Sequence, residues 1–337
     1  MPGQPVISVV IPTYNRALPL KRCLESLGQQ TLPSELYEVI VVDDASEDET
    51  LHVVQRLDLP ATFCYVRQEH GGSAVARNRG AALARGELLL FFDDDVVATP
   101  PLLEAHLRAH RQWGRCAVLG YTPFADNLAR TPIMEHHRAR WERIFADVDK
   151  AQSAGEVPFN YFITLNLSLR RADFETIGPF ETVFNAAFED TELGLRFARE
   201  GVPLRFCREA FAWHCPHLDE RSLTKRQEQF GYRAGLYYLR RPDDQIMAEA
   251  MNVSYVLGKS ACGKAAPSLR SRLRRLILSN WLVDVLLLLV VHAGGALPKG
   301  LREYLYRLIA WHHYGQGFRR ALAQAGKCSR TRDALVG

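Results

Sequence analysis

The chain has 337 residues, 47% of them hydrophobic and 24% charged, a balance that excludes disorder and fits one large or two modest globular domains. Its 42 basic and 38 acidic residues leave a formal charge of +4, too even to imply nucleic-acid binding. Seven cysteines are scattered, an odd number without a CxxC pair, so a disulfide framework is not expected and a reducing, cytoplasmic location is.

Val6–Ile11 is a β-branched apolar run ended by Pro12; with no basic region before it, it reads as a first strand and not as a secretion signal. Leu18–Leu27 has helical apolar spacing. Tyr37–Val42 is a second strand, followed by a helical stretch near Thr50–Leu57. Thr62–Val66 is a third strand, and Ser73–Ala84 an alanine-rich helix. Leu88–Phe92 is a fourth strand, and Pro101–Arg111 a helix. Strands alternating with helices imply crossover connections: an α/β fold, with a mainly parallel, Rossmann-like sheet flanked by helices. Further on, the pattern predicts a helix near Met134–Val148, a polar loop over Lys150–Pro158, and a strand over Phe162–Leu169. A helix over Thr191–Arg199, strands at Leu204–Phe206 and near Phe211, and a helical tail from about Lys225 complete the chain.

Ligands of an open parallel sheet bind outside the carboxyl ends of its strands, and all four early strands end in polar segments. Strand one ends in Pro12-Thr13-Tyr14-Asn15-Arg16, which taken alone is a turn. Strand two ends in Asp43-Asp44-Ala45-Ser46, fit either to cap a helix or to accept the N3–H of a pyrimidine base. After strand three come His70-Gly71-Gly72 and Ala76-Arg77-Asn78-Arg79-Gly80, where Gly72 permits close backbone approach and a helix start favours phosphate. Strand four ends in Asp93-Asp94-Asp95. A turn needs one aspartate; three repel one another, and a divalent cation, Mn2+ or Mg2+, relieves that repulsion through oxygen ligands.

In this order and near these separations, PTYNR, VVDDAS, HGG…ARNRG and FFDDD resemble the family 2 glycosyltransferases of the GT-A fold. The likeness continues through Asn185-Ala186-Ala187-Phe188-Glu189-Asp190-Thr191-Glu192 and covers roughly residues 6–240. It implies a GT-A-like catalytic domain over residues 1–240 and a helical C-terminal region over 241–337. It also implies an inverting enzyme that transfers sugar from a nucleotide-sugar donor, UDP-linked by preference, to an acceptor hydroxyl on a glycan or lipid-linked carrier. Pro12, Thr13, Tyr14, Asn15, Asp44, Gly72, Arg77, Asp93 and Asp94 would bind the donor. Asp95 and His214 would hold the metal, Asp190 would be the general base, and Asn166 and Glu189 would face the acceptor. Asp190 carries a tension: a helix start lowers a carboxyl pKa, neighbouring Glu189 and Glu192 raise it, and a base works best near ambient pH. Zinc is not expected from Cys207, His214, Cys215 and His217, whose spacing matches no standard structural site.

Leu276–Leu297 is the most hydrophobic segment, yet it contains Asn280, Asp284 and His292. Arg270, Arg272, Arg274 and Arg275 precede it, and Lys299, Arg302 and Arg307 follow. That pattern fits an interfacial helix on the inner face of a membrane, and equally a helix docked on the protein or on a second copy. Peripheral membrane contact and cell-envelope polysaccharide or glycolipid synthesis are therefore expectations, as is a homo-oligomer. A non-catalytic nucleotide-sugar-binding scaffold subunit is the alternative; loss of Asp190 or of the triplet would favour it, and both are present. A nucleotidyl- or phosphotransferase would need an early Gly/Lys-rich phosphate loop, which this sequence lacks.

Overall fold

The computed structural model describes residues 4–57, 62–184, 187–257, 280–293 and 296–336. Asn185 and Ala186 of the acidic motif lie outside these, as do Arg270, Arg272, Arg274, Arg275 and the first residues of the apolar segment. The described residues form two compact units, 1–128 with 138–217, and 129–137 with 218–337.

The first unit is built on β1 (Ile7–Thr13), β2 (Tyr37–Asp43), β3 (Thr62–Arg67), β4 (Leu88–Phe92), β5 (Val96–Ala98), β6 (Ala117–Tyr121), β7 (Asn166–Arg170) and β8 (Leu204–His214). Its helices include α1 (Ala17–Leu27), α2 (Thr50–Arg56), α3 (Ser73–Leu83), α4 (Leu102–Trp113), α6 (Arg171–Ile177) and α7 (Glu189–Arg199); α5 runs over Pro132–Ser153. The sheet order is β3-β2-β1-β4-β7-β6-β8-β5. β1 is parallel to both β2 and β4, and β2 to β3, which is the expected parallel layer. β7 then enters antiparallel between β4 and β6, and β5 pairs antiparallel with β8, so the whole sheet is mixed.

Every residue of β2 and of β4 is buried, as strands covered on both faces require. Alternation sends Val10, Ile40, Val42, Leu89 and Phe91 to one apolar cluster and Val9, Ile11, Val39, Val41 and Leu90 to another. Each such side chain contributes about 1.5–3 kcal/mol on burial. Connections run outward from β1 through β2 to β3, then return to β4 on its other side. That reversal opens a crevice at the carboxyl ends of β1 and β4. α3 packs against β1 and β2 at Gly80, where a Cβ would lie 2.4 Å from a methyl of Val10; glycine lets the helix that carries Arg77 lie close to the sheet.

Three boundaries differ from the sequence reading. α5 continues to Ser153 through residues expected as loop. β7 begins at Asn166, because Phe159–Tyr161 forms a short 3-10 turn and Phe162 packs on Gly194 and Phe197 instead. The two short strands expected around 204–214 are one strand, irregular opposite Gly120/Tyr121, where exposed Arg208 and Glu209 interrupt the pairing.

The second unit contains α8 (Glu220–Arg240), α9 (Gln245–Ala250), α10 (Val253–Leu257), α11 (Asn280–Ala293) and α12 (Lys299–Val336). α8 starts earlier than expected because Asp219 and Ser222 form a reciprocal cap. α8 and α12 meet through glycines: a Cβ on Gly231 would lie 1.8 Å from the Tyr314 carbonyl, and one on Gly317 1.9 Å from that of Glu228. Among the described residues no helix is long and apolar enough to cross a membrane.

Candidate functional site

At the end of β1, buried Thr13 donates through Oγ1 to Asp94 Oδ2 at 2.8 Å. Pro12 stays within the strand, opposite Val42 of β2. Tyr14 is exposed, with its ring centroid 4.4 Å from that of His70. Asn15 adopts a left-handed conformation, φ 52, which asparagine tolerates better than most residues. Its amide donates to Ser46 Oγ at 2.8 Å, and its Oδ1 accepts from the Glu47 amide at 2.7 Å. The loops after β1 and β2 are thereby fastened to each other.

Asp44 is buried and turns back on the glycine loop. Its Oδ1 accepts from the Gly71 amide at 2.8 Å and from Gln68 at 2.7 Å; its Oδ2 accepts from the Gly72 amide at 2.7 Å. His70 Nδ1 lies 3.0 Å from Oδ2. Gly72, at φ 88, precedes α3 in a backbone conformation that L side chains rarely adopt.

One turn into α3, the buried Arg77 reaches two elements. Its Nη2 donates to Asp93 at 2.8 Å and its Nη1 to Glu189 at 3.1 Å, and Ser73 also donates to Glu189 at 3.1 Å. Arg77 thus joins the acidic triplet after β4 to α7, the helix that carries Asp190. Glu189, expected on the acceptor side, is buried as this arginine's partner.

Asp94 and Asp95 are held by Arg16, whose two terminal nitrogens lie 3.0 Å from Asp94 Oδ1 and 2.8 Å from Asp95 Oδ2. Burial above all, against the pull of Arg16, lifts the Asp94 carboxyl to about 7. Burial acts on Asp95 as well, but His214 and Arg16 outweigh it and hold its carboxyl far below the usual range. β5–β8 pairing sets His214 opposite Val96, which brings His214 Nε2 to 3.6 Å from Asp95 Oδ1.

These two residues fit a divalent cation. A carboxylate oxygen, Asp95 Oδ1, and an imidazole nitrogen, His214 Nε2, face each other 3.6 Å apart. Among the described residues no group of three His, Cys, Asp or Glu side chains is disposed to hold a metal. A cation here would therefore complete its coordination with phosphate oxygens and water, as Mg2+ commonly does.

Asp190, in the first turn of α7, accepts from the Thr191 amide at 2.8 Å. Burial, then the charge of Glu189, raises its carboxyl to about 7 against the pull of Arg77. Glu192, expected to raise it too, is paired with Arg196 at 2.9 Å.

Asn166 is not brought to this cleft. It is fully buried in β7, where its amide is engaged by His106 at 2.9 Å, Thr122 at 3.2 Å and the Ala210 carbonyl at 3.0 Å. Ser168 extends the same interior network to His110 at 2.8 Å. Arg16 and His70 were not among the site residues drawn from the sequence. The one available signal for Arg16 was its place in PTYNR, at a strand end beside that of the triplet.

Residues 8–177, half of the chain, match the family described as Glycosyl transferase family 2. A validoxylamine A glucosyltransferase of Streptomyces hygroscopicus subsp. jinggangensis is 37% identical over 250 residues, covering 64% of this chain and 58% of that protein. The chain thus spans little more than half the length of that relative. In fold it is similar to the mannosyltransferase PcManGT of Pyrobaculum calidifontis, solved with GDP-Man and Mn2+. That likeness has a TM-score of 0.57 at 18% identity, over 95% of this chain and 88% of that one. It is also similar to S. aureus TarS solved with UDP, with a TM-score of 0.53 at 17% identity, over 95% and 91%. With the order of its strand-end motifs, the crevice they line and the matched stretch in agreement, the chain belongs to glycosyl transferase family 2.

Proposed function

We propose that this protein transfers a sugar from a nucleotide-sugar donor, UDP-linked by preference, to an acceptor hydroxyl with inversion at the anomeric carbon. The observation that carries this reading is the ion-pair chain through Arg77. It ties Asp93 of the triplet to Glu189, next to a carboxylate raised to about 7. An acid proposed to bind the donor and the neighbour of the candidate base thus share one buried arginine. The relatives named for glucosyl and mannosyl transfer, and the neighbours solved with GDP-Man and with UDP, support a nucleotide-sugar donor.

Each group then has a task. Tyr14 and His70 offer aromatic faces at the cleft for a base. The start of α3 presents backbone N–H groups suited to phosphate, and Asp44 fixes the turn before it by accepting from the Gly71 and Gly72 amides. Asp95 and His214 would hold Mn2+ or Mg2+, which when bound neutralises charge developing on the departing diphosphate. Asp190 takes the proton of the acceptor hydroxyl as that oxygen attacks, and a carboxyl near 7 suits a base at neutral pH. The acceptor class, a glycan or lipid-linked carrier of the cell envelope, is an extension of this proposal, in keeping with a relative from Bacillus spizizenii named poly(ribitol-phosphate) beta-glucosyltransferase. A scaffold role is the less favoured reading, because the chain keeps both the triplet and Asp190, and Arg77 joins Asp93 to the neighbouring Glu189.

The test is release of UDP from a panel of UDP-sugars with glycan and lipid-linked acceptors, wild type beside Asp190→Asn. Transfer by the wild type and its loss in the variant supports the proposal. Nucleotide binding without transfer by either protein would return the scaffold role to first place.

A further inference from the structure

We propose that Arg16 is the internal counter-cation of the acidic triplet and makes metal binding depend on the nucleotide; this rests on the donor-site reading above. Asp94 and Asp95 are both buried, and their charges need compensation when no metal is bound. Two arginines share the triplet, in different circumstances. Arg77 is buried and fixed between Asp93 and Glu189. Arg16 bridges Asp94 and Asp95, yet 37% of its side chain is exposed, so it has room to leave. It lies just before α1 and directly after left-handed Asn15, outside regular structure.

The guanidinium occupies Asp95 Oδ2, one of the two oxygens a cation would use, while Oδ1 faces His214. A cation entering alone competes with Arg16 for Asp95, places its charge beside the guanidinium and leaves Arg16 with Asp94 alone. A cation entering with a diphosphate brings a new anion, and a planar guanidinium recognises phosphate well. Arg16 therefore exchanges Asp95 for phosphate as the donor binds. It penalises the metal-only state and rewards the metal–nucleotide state, which is thermodynamic coupling between two ligands.

The test measures Mn2+ binding from the electron paramagnetic resonance of free Mn2+, with and without UDP, for wild type, Arg16→Gln and Arg16→Lys. Far-UV circular dichroism verifies folding. Without UDP, Arg16→Gln should bind Mn2+ more tightly by roughly 5- to 150-fold, the usual span of such coupling. The enhancement of Mn2+ binding by UDP should shrink by the same factor. Arg16→Lys, which keeps the charge but not the bridge, should fall between the two, and it decides the matter if Arg16→Gln does not fold. Unchanged or weaker nucleotide-free Mn2+ binding in the folded variants, with UDP still enhancing it in the wild type, overturns the role of Arg16 and leaves the metal site standing. Absence of Mn2+ binding by every protein with UDP present overturns both.

Discussion

Asp190 sits under opposed influences at the start of α7. The helix terminus and the Thr191 amide favour its anion, while burial and Glu189 oppose it; the opposition prevails and the carboxyl lies near 7. As the proposed base, Asp190 acts ionised, so a folded pKa of about 7 means kcat/KM rises with pH up to about 7 and levels off above it. A pH–rate profile of the free enzyme checks this. Asp190→Asn should lower kcat/KM by roughly 100- to 10,000-fold at pH 8 while leaving UDP binding, followed by calorimetry, within about threefold. Arg77 makes a different prediction. It and Glu189 are both buried and paired, while Asp93 remains a second partner, so Glu189→Ala removes one of the two anions of a buried guanidinium and should cost about 1.5–3 kcal/mol in urea denaturation. A loss under 1 kcal/mol would show that the pair is not buried as described. The charge types at these positions were legible from the sequence. Their pairings were less so: Arg77 and Glu189 stand 112 positions apart, and neither motif names its partner. Asn166 shows the opposite failure. A polar residue in an apolar run reads as facing a ligand, but here it satisfies His106, Thr122 and a carbonyl inside the fold.

Among the elements, α3 and its preceding turn shape the proposed donor site. Gly72 holds φ 88 and donates to Asp44. Gly72→Ala should therefore destabilise the protein by about 1–3 kcal/mol and weaken nucleotide binding in calorimetry, whereas Ser73→Ala should do less to both. In the second unit, α8 and α12 approach backbone to backbone at Gly231 and Gly317. Gly231→Val must force them apart, and should lower the thermal midpoint by several degrees and expose α12 to limited proteolysis. Strands β1, β2 and β4 could be read from the sequence because they are buried apolar runs between clear helices, and β3, half-buried at the sheet edge, from its aromatic and β-branched residues. The direction of β7 could not, since a buried strand carries no periodicity that distinguishes parallel from antiparallel neighbours. Nor could the union of the 204–206 and 211–214 strands, which the charged irregularity at Arg208 and Glu209 conceals. That union matters to the proposed metal site, because the far end of β8 is what brings His214 to Asp95.

For the molecule as a whole, the motifs become a site through topology. PTYNR, VVDDAS and HGG each admit a structural explanation when taken singly, and FFDDD alone asks for more. The order β3-β2-β1-β4 places the ends of β1, β2 and β4 around one crevice, and hydrogen bonds then join the loops in pairs: Thr13 to Asp94, Asn15 to Ser46, Asp44 to Gly72 and Arg77 to Asp93. The central claim is that this crevice binds a nucleotide diphosphate together with a divalent cation. The most direct measurement is calorimetric titration of the purified protein with UDP, GDP and dTDP, with and without Mn2+, for wild type and Asp95→Ala. The account predicts that UDP binds best, that Mn2+ strengthens it at least about tenfold, and that the strengthening is lost in Asp95→Ala. Failure of every nucleotide to bind in the presence of Mn2+, or metal-dependent binding that survives the Asp95 substitution intact, would contradict it.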